Sequence, residues 1–211
     1  MSERKKFDQN EDLISMKLLE CFLPNDQYFP YTSSSLSFQS IRIIVNDIVL
    51  NGRHNIIEFG SGLSTIIFKN VLDSLKIKDS KLVSVDENEE WLQLLNAFVS
   101  QDTIVHAPLG EAANSWYGLD ATGVSKIKYN LVVVDGPSAW QKDRVSAREG
   151  ALNFLLTNEL LADEFSIYLD DCNREGEKQI IKKWADQLGL KYTLVTESLG
   201  RISKGSKFNT F

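Results

Sequence analysis

Cysteine is nearly absent from this chain of 211 residues: Cys21 and Cys172 are the two it has, far apart and in no metal-ligand spacing. That leaves no zinc motif and no disulfide framework, and both read as reduced thiols of a reducing compartment. Long apolar runs are missing too. The stretch 41–50 is broken by Arg42, Asn46 and Asp47 and is too short to span a bilayer, and the polar residues 1–10 hold no apolar segment of the secretory kind. A soluble cytoplasmic protein with no membrane partner is the expectation. Positive charge is in deficit, with 23 Lys+Arg against 29 Asp+Glu and a net charge of −6. An acidic surface repels phosphate backbones, so no nucleic-acid partner is expected. No Pro- or Gly/Ser-rich linker and no repeat of roughly 20–50 residues divides the chain.

What is present is the composition of one ordinary globular domain, 43% hydrophobic, 25% charged and 10% aromatic. Residues 1–11 are polar and expected to fray. Residues 11–22 carry Leu13, Ile14, Leu18, Leu19 and Phe22 in a helical stripe stopped before Pro24. An irregular segment, 26–35, leads to a second apolar helix over 37–50 that Asn51-Gly52 closes. Strands then alternate with helices. Strands are expected at Asn55–Phe59, 81–85 (ending in Asp86), 103–106, Tyr129–Val134 and 165–169, and helices at 65–76, after the turn 60–64, and at 87–100, 142–161 and 174–188. Residues 191–196 and 207–211 are expected to close the chain as two strands joined by a turn over 200–205. That short connection forces one of them antiparallel. The pattern predicts an α/β fold: a doubly wound, mostly parallel seven-stranded sheet with an antiparallel C-terminal hairpin and N-terminal helices.

The turn Glu58-Phe-Gly60-Ser61-Gly62-Leu-Ser64-Thr65 follows the first strand. Its glycines let backbone approach a bound group closely, and the carboxylate of Glu58 at the strand end suits a cationic ligand better than a pyrophosphate. Asp86 closes the second strand, where an acid can accept both hydroxyls of a ribose. Taken singly, the glycines make a tight turn and Asp86 caps a helix; together, at neighbouring strand ends, they read as a ligand site.

With Ile57-Glu58-Phe-Gly60-Ser-Gly62-Leu-Ser64 as first motif, Val83-Ser-Val-Asp86 as second and Leu131-Val-Val-Val-Asp135-Gly-Pro-Ser at the fourth strand, the sequence from about residue 35 to its end resembles the class I S-adenosylmethionine-dependent methyltransferases. More narrowly it is similar to small stand-alone members with a Gly-Ser-Gly-x-Ser-Thr turn. The resemblance implies that residues 53–211 bind S-adenosyl-L-methionine, with the helices of 1–52 covering cofactor and substrate as part of the same domain. It further implies that Gly60, Ser61 and Gly62 pass under the methionine part, that Glu58 helps hold its amino end, that Asp86 with Glu87 holds the ribose, and that His106 and Ala107 edge the adenine. His106-Ala107-Pro108 departs from the acidic or amide residue common there.

Methyl transfer needs donor, methyl and nucleophile aligned and water excluded, and a hydroxyl acceptor must also lose its proton. Asp135 ends the fourth strand, and Asp170 and Asp171 end the fifth, so three oxygen donors face one crevice. Asp135 and Asp170 are the catalytic candidates. The trio also resembles the ligands of the cation-dependent O-methyltransferases, with Asp171 in place of Asn, which implies a site for Mg²⁺ or another divalent cation. Against this, Asp171 or Asn173 caps the next helix, or Asp135 binds the cofactor side, orienting the sulfonium, or orients substrate.

Trp116-Tyr117 and Trp140 either form an acceptor pocket or lid, or pack beneath loops. Lys142, Arg144, Arg148 and Arg174 read as a solvated helix face, with anion binding as the other choice. His106 is a base or a support. Tyr31–Ser35 is a lid over the cofactor or an N-cap cluster. An NAD-dependent oxidoreductase lacks its third glycine and any Tyr-x-x-x-Lys here, and base-methylating enzymes usually show an Asp/Asn-Pro-Pro-aromatic strand end where this chain has Asp135-Gly-Pro-Ser. The expectation is transfer to a small-molecule or glycan-like hydroxyl, with a homodimer left open and a non-catalytic nucleotide-cofactor-binding module as the alternative.

Overall fold

In the computed structural model, which describes residues 3–24, 27–120, 122–124 and 126–211, seven strands form one sheet in the order β3-β2-β1-β4-β5-β7-β6. The strands are β1 (Asn55–Phe59), β2 (Lys81–Asp86), β3 (Ile104–His106), β4 (Tyr129–Val134), β5 (Leu161–Leu169), β6 (Tyr192–Leu194) and β7 (Gly200–Lys204). The helices are α1 (Glu3–Leu18), α2 (Phe38–Asn51), α3 (Leu63–Leu75), α4 (Glu89–Leu95), α5 (Gly150–Thr157) and α6 (Glu175–Leu188). The β1–β5 ladder is parallel, and β7 enters antiparallel between β5 and β6. The doubly wound expectation and its antiparallel end are therefore observed. Met1, Ser2 and residue 26 of the expected irregular segment lie outside the described residues.

The central strands are apolar on both faces because both are covered. Ile56, Leu131 and Val133 join the helices α2 and α3 in one cluster, while Ile57, Phe59, Val132 and Val134 join α5 and α6 in the other. Asp47 anchors α2 to the sheet by accepting from Tyr168 Oη at 2.8 Å and Arg201 Nη2 at 3.2 Å. Removing one partner of such a buried charged set typically costs about 3–5 kcal/mol. Among the described residues no helix is long and apolar enough to cross a membrane.

Several expected boundaries move. The N-terminal helix starts at Glu3 instead of 11, and its apolar stripe does not face the core: Leu13, Ile14 and Leu18 are exposed. The helix meets α2 through the buried Ser15, whose Oγ accepts from Arg42 Nε at 2.8 Å, and through Leu19 just beyond its end. The helix expected over 87–100 ends at Leu95. The one expected over 142–161 begins only at Gly150, because residues 143–146 bond to another loop: Asn114 N–H donates to Asp143 O at 2.6 Å and Asn114 Oδ1 accepts from Ser146 N–H at 2.8 Å. The last strand is Gly200–Lys204, where a turn was expected, since Ile202 is buried against the sheet. Residues 207–211 instead return to α2, with Asn51 Oδ1 accepting from Lys207 and Phe208 N–H and Asn46 Nδ2 donating to Thr210 O.

Candidate functional site

The carboxyl ends of β1, β2, β4 and β5 open onto one crevice of about 340 Å³, where the strand order reverses and doubly wound sheets bind ligands. The turn after β1 and residues 86–88 form one end. Asp135, Trp140, Arg148, Asp170, Asp171 and Arg174 form the other, and the segment 32–36 crosses above.

Gly60 has φ +94° and lies so near the β4 end that a Cβ would stand 2.6 Å from Gly136 N, so only glycine fits. Gly62 is different: it lines the crevice, and a Cβ there meets nothing within 4 Å. The three turn amides are already engaged. Gly60 N–H donates to Val85 O at 2.8 Å, Ser61 N–H to Asp86 Oδ2 at 2.8 Å, and Gly62 N–H to Thr65 Oγ1 at 3.0 Å. A pyrophosphate cradle needs such N–H groups free, and these are not.

Glu58 does not reach the crevice. It is fully buried behind the turn, accepting from Ser64 Oγ at 2.6 Å, Thr65 Oγ1 at 2.5 Å and Ser84 Oγ at 2.8 Å. Burial pushes its carboxyl up to about 7, with the three hydroxyls pulling the other way. Its place is beneath the turn, holding it, rather than at a ligand's amino end. Asp86 stands where the ribose-holding acid was expected, but also ties β2 to the turn: Oδ2 accepts from Ser61 Oγ at 2.9 Å as well as from its N–H, and Oδ1 accepts from Asn88 N–H at 2.9 Å. Ser61 and Glu87 line the crevice, as does Trp91, whose Nε1–H donates to Ser61 O at 2.8 Å. Ala107 does not; it is buried in the core, its N–H donating to Asp86 O at 2.9 Å. His106 is exposed, with a ring nitrogen 3.1 Å from Glu87 O, far from any role at the acidic end.

At that end Asp135 N–H donates to Phe59 O at 2.8 Å and Asp170 N–H to Val134 O at 3.0 Å, so the sheet itself sets both side chains. Ligand oxygens of Asp135, Asp170 and Asp171 lie within 4.8 Å of one another. Burial first, and the nearby Asp170 next, hold the Asp135 carboxyl well above the carboxylate range against the pull of Arg148. Burial and Asp171 raise Asp170 in the same sense. Like charges this close favour sharing a proton.

Arg148 was expected on a solvated face; instead it is 3% exposed and central. Its Nη1 donates to Asp171 Oδ2 at 3.0 Å and Nη2 lies 3.6 Å from Asp135 Oδ1, while Nε donates to Pro137 O at 3.1 Å. Burial works to lower its pKa, but Asp135, Asp171 and Glu177 outweigh that and keep it charged. Arg174 adds a second guanidinium 3.0 Å from Asp171 Oδ2. The three carboxylates have the oxygen chemistry of a hard-cation site, yet Asp171 Oδ2 is already held by both guanidiniums, and a divalent ion among the three would sit against the permanent buried charge of Arg148. The set fits an arginine-paired acid cluster better than a Mg²⁺ site.

Trp116 and Tyr117 pack on Phe59, with ring centroids 4.9 and 6.2 Å away, and do not line the crevice. Lys142 and Arg144 stay outside it, whereas Trp140 lines it and is 74% exposed. Thr32–Ser35 do face it, in a turn closed by Ser35 N–H donating to Thr32 O at 3.1 Å, and the helix N-cap is Ser37, which accepts from Ser40 N–H. Arg148 and Ser198, whose Oγ donates to Asp170 Oδ1 at 3.0 Å, are the participants that sequence reasoning misplaced or missed. The signal for Arg148 was its place in a chain segment that must return beneath two acidic strand ends.

No protein-family model matches the chain, and no curated protein matches it. Solved structures do. The O-methyltransferase TomG of Streptomyces achromogenes, involved in tomaymycin synthesis and determined with SAM, superposes with a TM-score of 0.59 at 13% identity, over 96% of this chain and 98% of its own. The O-methyltransferase of Bacillus cereus in complex with SAH gives 0.57 at 13% identity, over 92% and 91%. The SAH-bound methyltransferase PaMTH1 of Podospora anserina gives 0.58 at 13% identity, over 91% and 86%. At such identities the likeness establishes the fold: this chain is built on the Rossmann-like methyltransferase framework.

Proposed function

We propose that the protein is an S-adenosyl-L-methionine-dependent methyltransferase acting on a hydroxyl of a small-molecule or glycan-like acceptor. The observation that carries this reading is a single crevice joining a glycine turn with engaged amides and the adjacent Asp86 to a carboxyl pair of raised pKa. The engaged amides also argue against a dinucleotide, whose pyrophosphate needs them free. The open space at Gly62 and the acid at the β2 tip fit a ribose-bearing, cationic donor, with Ser61, Glu87 and Trp91 as neighbouring walls. When bound, S-adenosyl-L-methionine supplies an electrophilic methyl group whose sulfur leaves as a neutral thioether.

The chain's own residues do the rest. The fixed strand ends orient the acceptor, and the segment 32–36 together with Ile41 of α2 walls the crevice and limits water. Asp135, paired with Asp170, takes the acceptor's proton; a carboxyl held above its ordinary range is better matched to that task near neutral pH. No step is assigned to a metal, because Asp171, one of the three carboxylates a cation would need, is already paired with Arg148 and Arg174. The setting is a reducing cytoplasm, in keeping with the free cysteines Cys21 and Cys172.

Calorimetric titration of S-adenosyl-L-methionine, paired with isotopic methyl transfer to a library of small hydroxylated compounds, tests the reading. Donor binding with transfer is the expected result. Binding with no acceptor across the library turns the reading into that of a cofactor-binding module, and absence of binding ends it.

A further inference from the structure

One carboxylate on the crevice wall is held by nothing around it. Glu87 follows Asp86 at the tip of β2, lines the crevice and is half-buried. The His106 ring of β3 meets its carbonyl at 3.1 Å, but its carboxylate makes no hydrogen bond among the described residues. Asp86, by contrast, is fixed by Ser61 and Asn88. A free glutamate side chain loses rotamer freedom when a ligand fixes it, which weakens binding unless the protein has restrained it first.

Behind this wall stands a hydroxyl without a partner. Tyr117, in the loop between β3 and β4, is bridged antiparallel to Leu109, and Gly118 N–H donates to Pro108 O at 2.8 Å. Those contacts return the chain to the end of β3. The Tyr117 ring packs on Phe59 and Trp116, with centroids 6.2 and 4.8 Å away. The residue is 3% exposed, and its Oη is buried with no hydrogen-bond partner among the described residues. That oxygen presses on the wall itself: a Cβ on Gly136, which lines the crevice, would stand 2.2 Å from it. Burial first, then the charges of Glu87 and Asp86, hold the phenol well above its ordinary value, and Glu87 adds to this as an acceptor facing the hydroxyl. Near neutral pH the phenol therefore keeps its proton and can only gain by donating it to a hydrogen bond.

Packing alone does not account for the hydroxyl. Phenylalanine would fill the same place against Phe59 and Trp116 without burying a polar group that has no partner, which is a net cost. Gly136 leaves the room that this hydroxyl occupies. An unpaired hydroxyl fixed by packing and an unpaired carboxylate with rotamers open to it are complementary, and they lie at the same end of the crevice.

We infer that Tyr117 is a positioning residue of the S-adenosyl-L-methionine site: its hydroxyl donates to the Glu87 carboxylate when the cofactor binds and holds that carboxylate toward the ribose, beside Asp86. This role rests on the methyltransferase reading, and Tyr117 plays it without touching the ligand.

Calorimetry of S-adenosylhomocysteine binding to the full chain tests the role, with Tyr117→Phe, Glu87→Ala and the double variant set beside the unaltered protein. Tyr117→Phe should weaken binding about five- to tenfold while Tm, read by thermal melts, stays within about 2 °C or rises, since an unpaired buried hydroxyl has gone. In the Glu87→Ala background the same change should alter affinity by less than about twofold, because the two residues act as one. The 2′,3′-dideoxy analogue of S-adenosylhomocysteine should bind Tyr117→Phe and the unaltered protein alike, a pattern that general damage to the fold does not produce. Affinity kept within about twofold in Tyr117→Phe, an undiminished loss in the Glu87→Ala background, or an equal loss for the dideoxy analogue would each overturn the positioning role. Failure of the unaltered protein to bind S-adenosylhomocysteine would instead remove the methyltransferase reading beneath it.

Discussion

At the β1–β2 end of the crevice the walls are made largely by backbone: Gly60 against Gly136, the amides of Gly60, Ser61 and Gly62 each with a partner, and one carboxylate, Asp86, stapling turn to strand. At the β4–β5 end they are charged side chains, Asp135, Asp170 and Asp171 with Arg148 and Arg174 beside them. Backbone geometry tolerates few substitutions and holds one shape. A side-chain cluster is tuned by the charges around it, and its chemistry changes with each. One end is therefore suited to holding a fixed donor and the other to a proton transfer.

If that division is right, substitutions at the two ends separate binding from chemistry. Asp86→Ala removes an acceptor of charge-assisted hydrogen bonds and frees Ser61. Calorimetry should find donor affinity at least about 100-fold weaker, since the proposed pair of charge-assisted bonds from the ribose hydroxyls to Asp86, at about 1.5–3 kcal/mol each, is lost. Asp135→Asn should do the converse, lowering kcat about 100-fold with donor affinity within about threefold, the usual scale for a lost general base. In the unaltered protein kcat should rise with pH, because the raised carboxyl pair serves as a base only after losing its proton. A fall with rising pH would assign the pair another role.

The two glycines sharpen the contrast within the donor end. Gly60→Ala forces a positive-φ alanine into the backbone of Gly136 and should lower Tm by roughly 5–10 °C, whereas Gly62→Ala, facing open space, should change it by less than about 2 °C while weakening donor binding. Thermal melts with and without donor check both.

Glu58 gives a smaller effect with a definite sign. Its folded value is raised from the ordinary 4.5 to about 7, so its contribution is fully present below the lower value and is lost as pH rises through the upper one. Denaturation midpoints between about pH 5 and 8 should fall with pH, and Glu58→Gln should flatten that slope. The smallest effect expected is that of a chelator: excess EDTA should leave turnover within about twofold, and a larger loss would show that a divalent ion shares the acid cluster with Arg148.

The same contrast explains what the residues made legible. Strands such as Tyr129–Val134 announce themselves by unbroken apolar runs, and the turn and Asp86 by local spacing, so sheet, turn and acidic strand ends were all readable. Arg148 was not, since its burial depends on three acids from β4, the β5 end and α6 meeting around it. Glu58 was misjudged for a similar reason: three hydroxyls from α3 and β2 close over it only once the sheet has formed. The closing hairpin shifted because a long-range contact, Asn51 with the chain at 207–208, claimed the residues that local pattern assigned to a strand.

The most direct test of the central claim is an NMR titration of the protein with S-adenosylhomocysteine. The account predicts that the largest amide shifts fall at Ser61, Gly62, Glu87 and Gly136, around the tips of β1, β2 and β4. Shifts confined to residues 12–13 and 196–198, or none at the glycine turn, would contradict it.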